Sequence, residues 1–197
     1  MFCEAVVVAA VRLKISLRGV RPPVWRRLVV PASFTLAGVH SVFQTAMGWT
    51  DSHVHSFDIG GVLYGDVEEF DGKVGNEVRT RLSSVARSVS RFGYEYDFGD
   101  GWEHDVLIEQ VQPDVAAAGP FCMAGRRACP PEDCGGPWGY EHLLEVLADP
   151  GHEEHAQLSE WAGGDFDPNA FDLAETNNLL RMIDHTAAGR PGGRGIS

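Results

Sequence analysis

The sequence predicts an α+β fold: a mixed sheet of an N-terminal hairpin, a helix and further strands, β-grasp-like in order, with C-terminal helices packed on it. Three observations predict it. Residues 11–18 alternate apolar and polar without a break, residues 35–47 carry a helical apolar period, and apolar spacing after residue 140 is again helical.

In the first strand Val11, Leu13, Ile15 and Leu17 point one way, while Arg12, Lys14, Ser16 and Arg18 point the other. Gly19 to Pro23 makes a turn, and Val24 to Val30 returns as a second strand that Pro31 stops. Leu36, Val39, Phe43, Ala46 and Met47 give the next segment one apolar face. Ser33 or Thr35 can cap its start, and Gly48 suits its exit. Strands follow over His53 to Ile59 and Val62 to Tyr64, joined at Gly60-Gly61. Residues 65–80 read as an acidic surface loop, and residues 82–89 fit helix or strand equally. Phe92, Tyr94, Tyr96 and Phe98 alternate up to Gly99-Asp100-Gly101, and Trp102 to Val111 completes a second hairpin. Residues 112–120 are a loop, and 121–140 read as a Pro- and Gly-punctuated segment without periodicity. Tyr140, Leu143, Leu144 and Leu147 share a helical face that ends at Pro150, and His152 to Trp161 is a short helix. Asp172 with Glu175 resembles a capping box before a last helix that carries Leu179, Leu180 and Ile183. The expected organisation is one domain over residues 1–187 and a Gly-rich, flexible tail over 188–197.

The 197 residues carry a formal charge of −12 with only two lysines, Lys14 and Lys73. Neutralising a phosphate backbone needs clustered Lys and Arg, so a broad nucleic-acid surface is not expected. No apolar run reaches the roughly 20 residues of a membrane span. The apolar stretch Ala5–Val11 lacks a basic segment before it and runs into a strand pattern, so it is not read as a signal peptide. A cytoplasmic protein is expected, in which cysteines favour metal or redox chemistry over structural disulfides.

Three constellations carry candidate chemistry. Cys122, Cys129 and Cys134 fall within one segment, followed by His142, His152 and His155. Three thiolates and one imidazole make a zinc ligand set, and His152 and His155 share a helical face. The spacing matches no CxxC template, and the same cysteines serve equally as small buried packing residues. The hairpin tip gathers Asp97, Asp100, Glu103 and His104, able to hold a divalent cation or act as general acid and base. The same carboxylates suit turn N–H groups, with the aromatic residues as core. Finally, His53 and His55 share a strand face at period two, and with His104 they suffice for a three-histidine site; they also suit a solvent-facing strand.

Five ordered blocks, Arg21–Pro31 (RPPVWRRLVVP), Ala46–Phe57 (AMGWTDSHVHSF), Tyr94–His104 (YEYDFGDGWEH), Cys129–Tyr140 (CPPEDCGGPWGY) and Asp149–Asp172, together resemble the plasmid pRiA4b ORF-3-like family over about residues 10–185. The resemblance implies a compact α+β domain, often carried on mobile elements, with no established biochemical activity. Some members are labelled putative transposon resolvases, but no nucleophilic serine amid arginines and no basic reading helix is evident here. Some relatives carry an apolar residue in place of Cys134, which makes Cys122 and Cys129 the better pair. The expected function is a binding or accessory module for a protein or small-molecule partner, presenting the Cys129–Tyr140 segment against the Tyr94–His104 hairpin. The alternative is a metal-dependent, hydrolase-like enzyme using that hairpin and the Cys/His set, with His104 or Glu103 as base. A DNA resolvase is the third reading.

Overall fold

The structure is a computed structural model that describes residues 10–112 and 119–183. Parts of the expected domain, most of the loop expected at 112–120 (residues 113–118) and the whole tail at 188–197 lie outside the described residues. The chain runs β1 (Ala10–Leu17), β2 (Trp25–Pro31), α1 (Leu36–Met47), β3 (His55–Ile59), β4 (Val62–Gly65), β5 (Gly75–Asn76), α2 (Leu82–Ser88), β6 (Arg91–Tyr96), β7 (Trp102–Gln112), β8 (Phe121–Arg126), α3 (Gly136–Ala148), α4 (His155–Trp161) and α5 (Leu173–Leu180). The strands form one sheet in the order β5-β4-β3-β6-β7-β1-β2-β8. The β4–β5 pair is parallel and the other neighbours are antiparallel, so the sheet is mixed and the fold is α+β.

Alternation decides which face of the sheet is buried. Val11, Leu13, Ile15 and Leu17 of β1 enter the core beside Phe92, Tyr94 and Tyr96 of β6 and Trp102 and Val106 of β7. Leu36, Val39, Val42, Phe43, Ala46 and Met47 of α1 cover them. Thr35 is the cap, its hydroxyl accepting the Gly38 N–H at 3.3 Å. Gly48 ends the helix at φ 96°, a left-handed conformation that costs glycine least. The opposite face is wet. There Arg27 pairs with Glu109 at 2.8 Å, and Arg18 with Glu103 at 2.9 Å and Asp105 at 2.5 Å.

The ambiguous residues 82–89 resolve as α2, whose Leu82 and Val85 are buried. Two departures shape the functional region. Residues 121–126 are not loop but an edge strand, β8, paired with β2 through a register shift at Arg27/Leu28. That irregularity, with Gly125 and exposed Phe121 and Met123, erases the alternation that marks the other strands. Helix α3 starts at Gly136, four residues before its apolar face begins at Tyr140. Within the expected 65–80 loop lies the two-residue strand β5. Asp172 caps α5 as expected, its Oδ1 accepting the Glu175 N–H at 2.9 Å. Among the described residues no helix is long and apolar enough to cross a membrane.

The interior strand β1 sets a stability test. Leu13→Ala, in a fully buried position on β1, is expected to cost about 2–5 kcal/mol in urea unfolding.

Candidate functional site: a junction of three loops

Five consecutive residues after α1, Trp49 to His53, each engage another part of the chain. Trp49 Nε1 donates to the Pro130 carbonyl at 3.0 Å. Thr50 Oγ1 donates to Glu132 Oε2 at 2.5 Å. Asp51 meets α1 through His40 and Gln44. The Ser52 N–H donates to Tyr96 Oη at 3.0 Å, and Tyr96 in turn donates to Glu132 Oε1 at 2.5 Å. His53 Nε2 faces Asp97 Oδ2 at 3.6 Å and Asp133 Oδ1 at 3.3 Å. The β6–β7 turn joins the third loop directly, since Asp100 Oδ2 accepts the Gly135 N–H at 3.1 Å. Gly136 is required at this contact. Its φ is +70°, and a Cβ there would stand 2.3 Å from the Asp100 carbonyl oxygen. The hairpin tip and the Cys129–Tyr140 segment therefore meet, as the sequence reading expected.

Beneath the junction lies a closed ring of hydrogen bonds. Gln44 Nε2 donates to Tyr94 Oη at 2.9 Å. Tyr94 has one proton left to give, and it meets His40 Nδ1 at 2.8 Å. His40 Nε2 then carries the ring proton and donates to Asp51 Oδ1 at 2.7 Å. The Asp51 N–H donates back to Gln44 Oε1 at 3.2 Å. Burial lowers the His40 pKa and raises that of Tyr94, so the imidazole stays neutral and the phenol protonated, as this direction of donation requires. His55 stacks on His40 with ring centroids 3.4 Å apart and bonds Glu77 at 2.8 Å.

Two groups of three potential metal ligands occur among the described residues: His40, Asp51 and His55, and His53, Asp97 and Asp133. Within each, the ligand atoms lie within 4.8 Å of one another. The first belongs to the closed ring, where both nitrogens of His40 are already bonded. The second is held differently. Asp97 Oδ1 accepts the Gly99 and Asp100 N–H groups at 3.0 and 3.3 Å, which turns Oδ2 toward His53. His53 Nε2 is sealed from solvent and makes no hydrogen bond. Asp97 and Asp133 both adopt left-handed backbone, at φ 55° and 58°, a conformation kept where the surroundings fix it.

The expected residues separate accordingly. Of the hairpin set, Asp97 reaches this group and Asp100 ties the loops. Glu103 is spent on Arg18, and His104 is fully buried, its Nδ1 donating to the Tyr94 carbonyl at 3.2 Å. His53, His55 and His104 do not share a ligand group, because His55 turns to His40 and His104 lies edge-on to Trp49 at 5.4 Å. The structure does not gather Cys122, Cys129, Cys134, His152 and His155 around one point: no cysteine and neither histidine enters a ligand group among the described residues. Cys122 lies on β8, bonded to the Ala124 carbonyl at 3.3 Å, and Cys129 packs on Met47 Sδ at 3.5 Å. Burial pushes the Cys129 and Cys134 thiols up to about 12, and raises that of Cys122. His152 accepts the Glu154 N–H at 3.2 Å through Nδ1. His40, Asp51, Glu132 and Asp133 carried no signal of their own. Their only marks were their blocks, Ala46–Phe57 and Cys129–Tyr140 for the last three and none for His40.

The profile of the family described as plasmid pRiA4b ORF-3-like protein matches residues 9–175. The chain belongs to the plasmid pRiA4b ORF-3-like family. It is 44% identical over 186 residues to the uncharacterized protein y4hQ of Sinorhizobium fredii, covering 92% of this chain and 94% of that protein. The crystal structure of a protein of unknown function, MM3350 from Methanosarcina mazei Go1, superposes with a TM-score of 0.76 at 39% identity, over 84% of this chain and 96% of that one. This chain and MM3350 thus share one architecture over most of both lengths.

Two measurements follow from the buried groups. Burial holds His104 at about 4, below the 6.5 of an exposed imidazole. Between these values the unfolded chain binds the extra proton, so stability is full above pH 6.5 and falls as pH drops toward 4. The loss from this residue is about 3 kcal/mol. Urea unfolding of the wild type is expected to show that slope, and His104→Phe to flatten it; equal slopes would reject the assignment. Native protein at pH 8 is expected to resist iodoacetamide at Cys129, with full alkylation after unfolding, read by mass spectrometry.

Proposed function

We propose that the protein is a cytoplasmic binding or accessory module associated with mobile-element gene content, and that the three-loop junction is its working face. One observation carries this reading. Loops 49–53, 97–101 and 130–136 are tied to one another by side chains, through Tyr96 to Glu132 and Asp100 to Gly135, instead of being left as separate connections. Rigidly held loops on a packed scaffold are where binding groups are usually presented. Trp138 adds a second support. It stands two residues beyond Gly136, on the first turn of α3, and is 83% exposed. A tryptophan left in water beside a polar junction is the type of residue that anchors a partner.

The partner is a protein or a small molecule. A charge of −12 and the gathering of Glu132, Asp97 and Asp133 at the junction disfavour a phosphate backbone there. The family's description, taken from a plasmid reading frame, supports the mobile-element link. The free thiols Cys122, Cys129 and Cys134 support a reducing compartment. A hydrolase built on the same hairpin has less support, since of its four expected residues only Asp97 faces an open ligand group and neither Glu103 nor His104 is placed as a base. The resolvase reading has little support from a chain of formal charge −12.

Position-specific photo-crosslinking in cells that carry the gene tests the working face. A photoreactive residue at position 138 is expected to give discrete adducts that one at position 63 does not, Leu63 lying on β4 opposite Asp58, toward the end of β3 away from His53. Adducts from both positions, or from neither, would overturn the reading. Retardation of duplex DNA at physiological salt would favour the recombination reading instead.

A further inference from the structure

We propose that His53, Asp97 and Asp133 form a binding site for a divalent first-row transition-metal ion at the three-loop junction. The proposal rests on the junction being the working face and names the ligand chemistry it would use.

The spacing of these three groups separates them from ordinary hydrogen-bonded partners. In the adjacent ring, His40 meets Asp51 at 2.7 Å, and His55 meets Glu77 at 2.8 Å, both normal hydrogen bonds. His53 stands off from its carboxylates at 3.3 and 3.6 Å and bonds neither. Ligand atoms about 2.1 Å from a shared ion lie about 3.0 Å apart in an octahedral arrangement and about 3.4 Å apart in a tetrahedral one. His53 stands near that spacing from each carboxylate, and the three ligand atoms all lie within 4.8 Å of one another. The His53 Nε2 is buried without a hydrogen bond, where a ring nitrogen is normally bonded, and the two carboxylates face it.

The surroundings hold the ligands in place. Asp97 is kept in its orientation by two backbone N–H groups on Oδ1. The His53 ring lies edge-on to Tyr96 at 5.8 Å, and Tyr96 is itself fixed by Ser52 and Glu132. Outer partners of this kind orient metal ligands. Two carboxylates against one imidazole also leave at least one negative charge uncompensated, which a cation offsets. His53 Nε2 is sealed from solvent while the side chain of Asp133 is 75% exposed, so the Asp133 side is where water or a partner's donor atom would complete the coordination. One imidazole with two carboxylates, and no thiolate, suits Mn²⁺, Fe²⁺, Co²⁺ or Zn²⁺ over soft thiophilic ions.

The test uses full-length protein stripped with chelator and titrated calorimetrically with Zn²⁺ and with Mn²⁺, alongside elemental analysis of the loaded protein. One ion per chain is expected. Asp133→Asn is expected to weaken it at least tenfold; the residue is exposed, and asparagine tolerates its left-handed backbone, so this variant keeps the fold. The double variant Cys122→Ser/Cys129→Ser is expected to bind as wild type does. Cobalt-loaded protein is expected to lack the intense near-ultraviolet band of a thiolate ligand. Failure of both ions to bind, binding unchanged in Asp133→Asn, or loss of binding in the cysteine variant would each overturn the site. Because position 138 contributes no ligand, the crosslinking result there judges the working face independently: adducts without metal binding would sink the ion site alone.

Discussion

The junction depends on one cyclic hydrogen-bond network: Gln44 to Tyr94, Tyr94 to His40, His40 to Asp51, and Asp51 back to Gln44. Every donation runs in the same direction, so each bond polarises the next. Breaking any member strands the others in a buried setting, at about 1–3 kcal/mol per unsatisfied group. The ring is anchored at both ends of the architecture, in helix α1 through His40 and Gln44 and in the sheet through Tyr94. What it holds is Asp51, and Asp51 lies midway along the loop from Trp49 to His53. An irregular segment entering a packed region must find partners for its polar groups. This loop finds them in α1, β6 and the segment before α3, which makes it the point where three parts of the chain are registered against one another.

The sheet supplies the geometry for that registration. Tyr94 and Tyr96 are two residues apart on β6, so both face inward. One hydroxyl closes the ring, while the other bridges Ser52 to Glu132. A single strand thus fixes the loop at two adjacent points, and its next residue, Asp97, turns into the left-handed region and faces His53. Arg26 does comparable work at the other side. Buried without a carboxylate, it donates to the carbonyls of Ala46, Trp25 and Arg126, and its guanidinium stacks on Phe171 at 4.1 Å. Ala46 is near the C-terminal end of α1, where exposed carbonyls favour a cation. The helix is therefore pinned to the β2–β8 edge just before the loop begins.

Much of the frame was legible because each inward strand repeats one signal over enough residues. β1 alternates across its length, and the α1 period and Thr35 cap agree with one another. β8 escaped because its six residues include a bulged register and a glycine, and α3 began early because Gly-Gly-Pro reads as a turn although proline is well suited to a helix's first turn. Within the junction, Asp97 and His53 could be named from local pattern, as an acidic hairpin turn and a histidine pair. Their meeting could not, since His53 and Asp133 are eighty positions apart and no periodicity links them. Whether the cysteines gather or pack was open in the sequence for a related reason. Density of thiols along the sequence says nothing about where each points, and here Cys122 turns to a backbone carbonyl while Cys129 turns to Met47.

Charge is also sorted by the fold in a way that composition conceals. On the solvent face of the sheet, Arg18 and Arg27 are matched by Glu103, Asp105 and Glu109, so the strands' basic residues are largely neutralised where they stand. At the three-loop junction, Asp97, Glu132 and Asp133 come together with imidazole, hydroxyl and backbone N–H groups as their partners. Three of the chain's 28 acidic residues thus meet at the junction, where their charges add to a local negative field. Such a field draws cations and repels phosphate. It places negative potential around His53 Nε2, which is buried without a hydrogen bond.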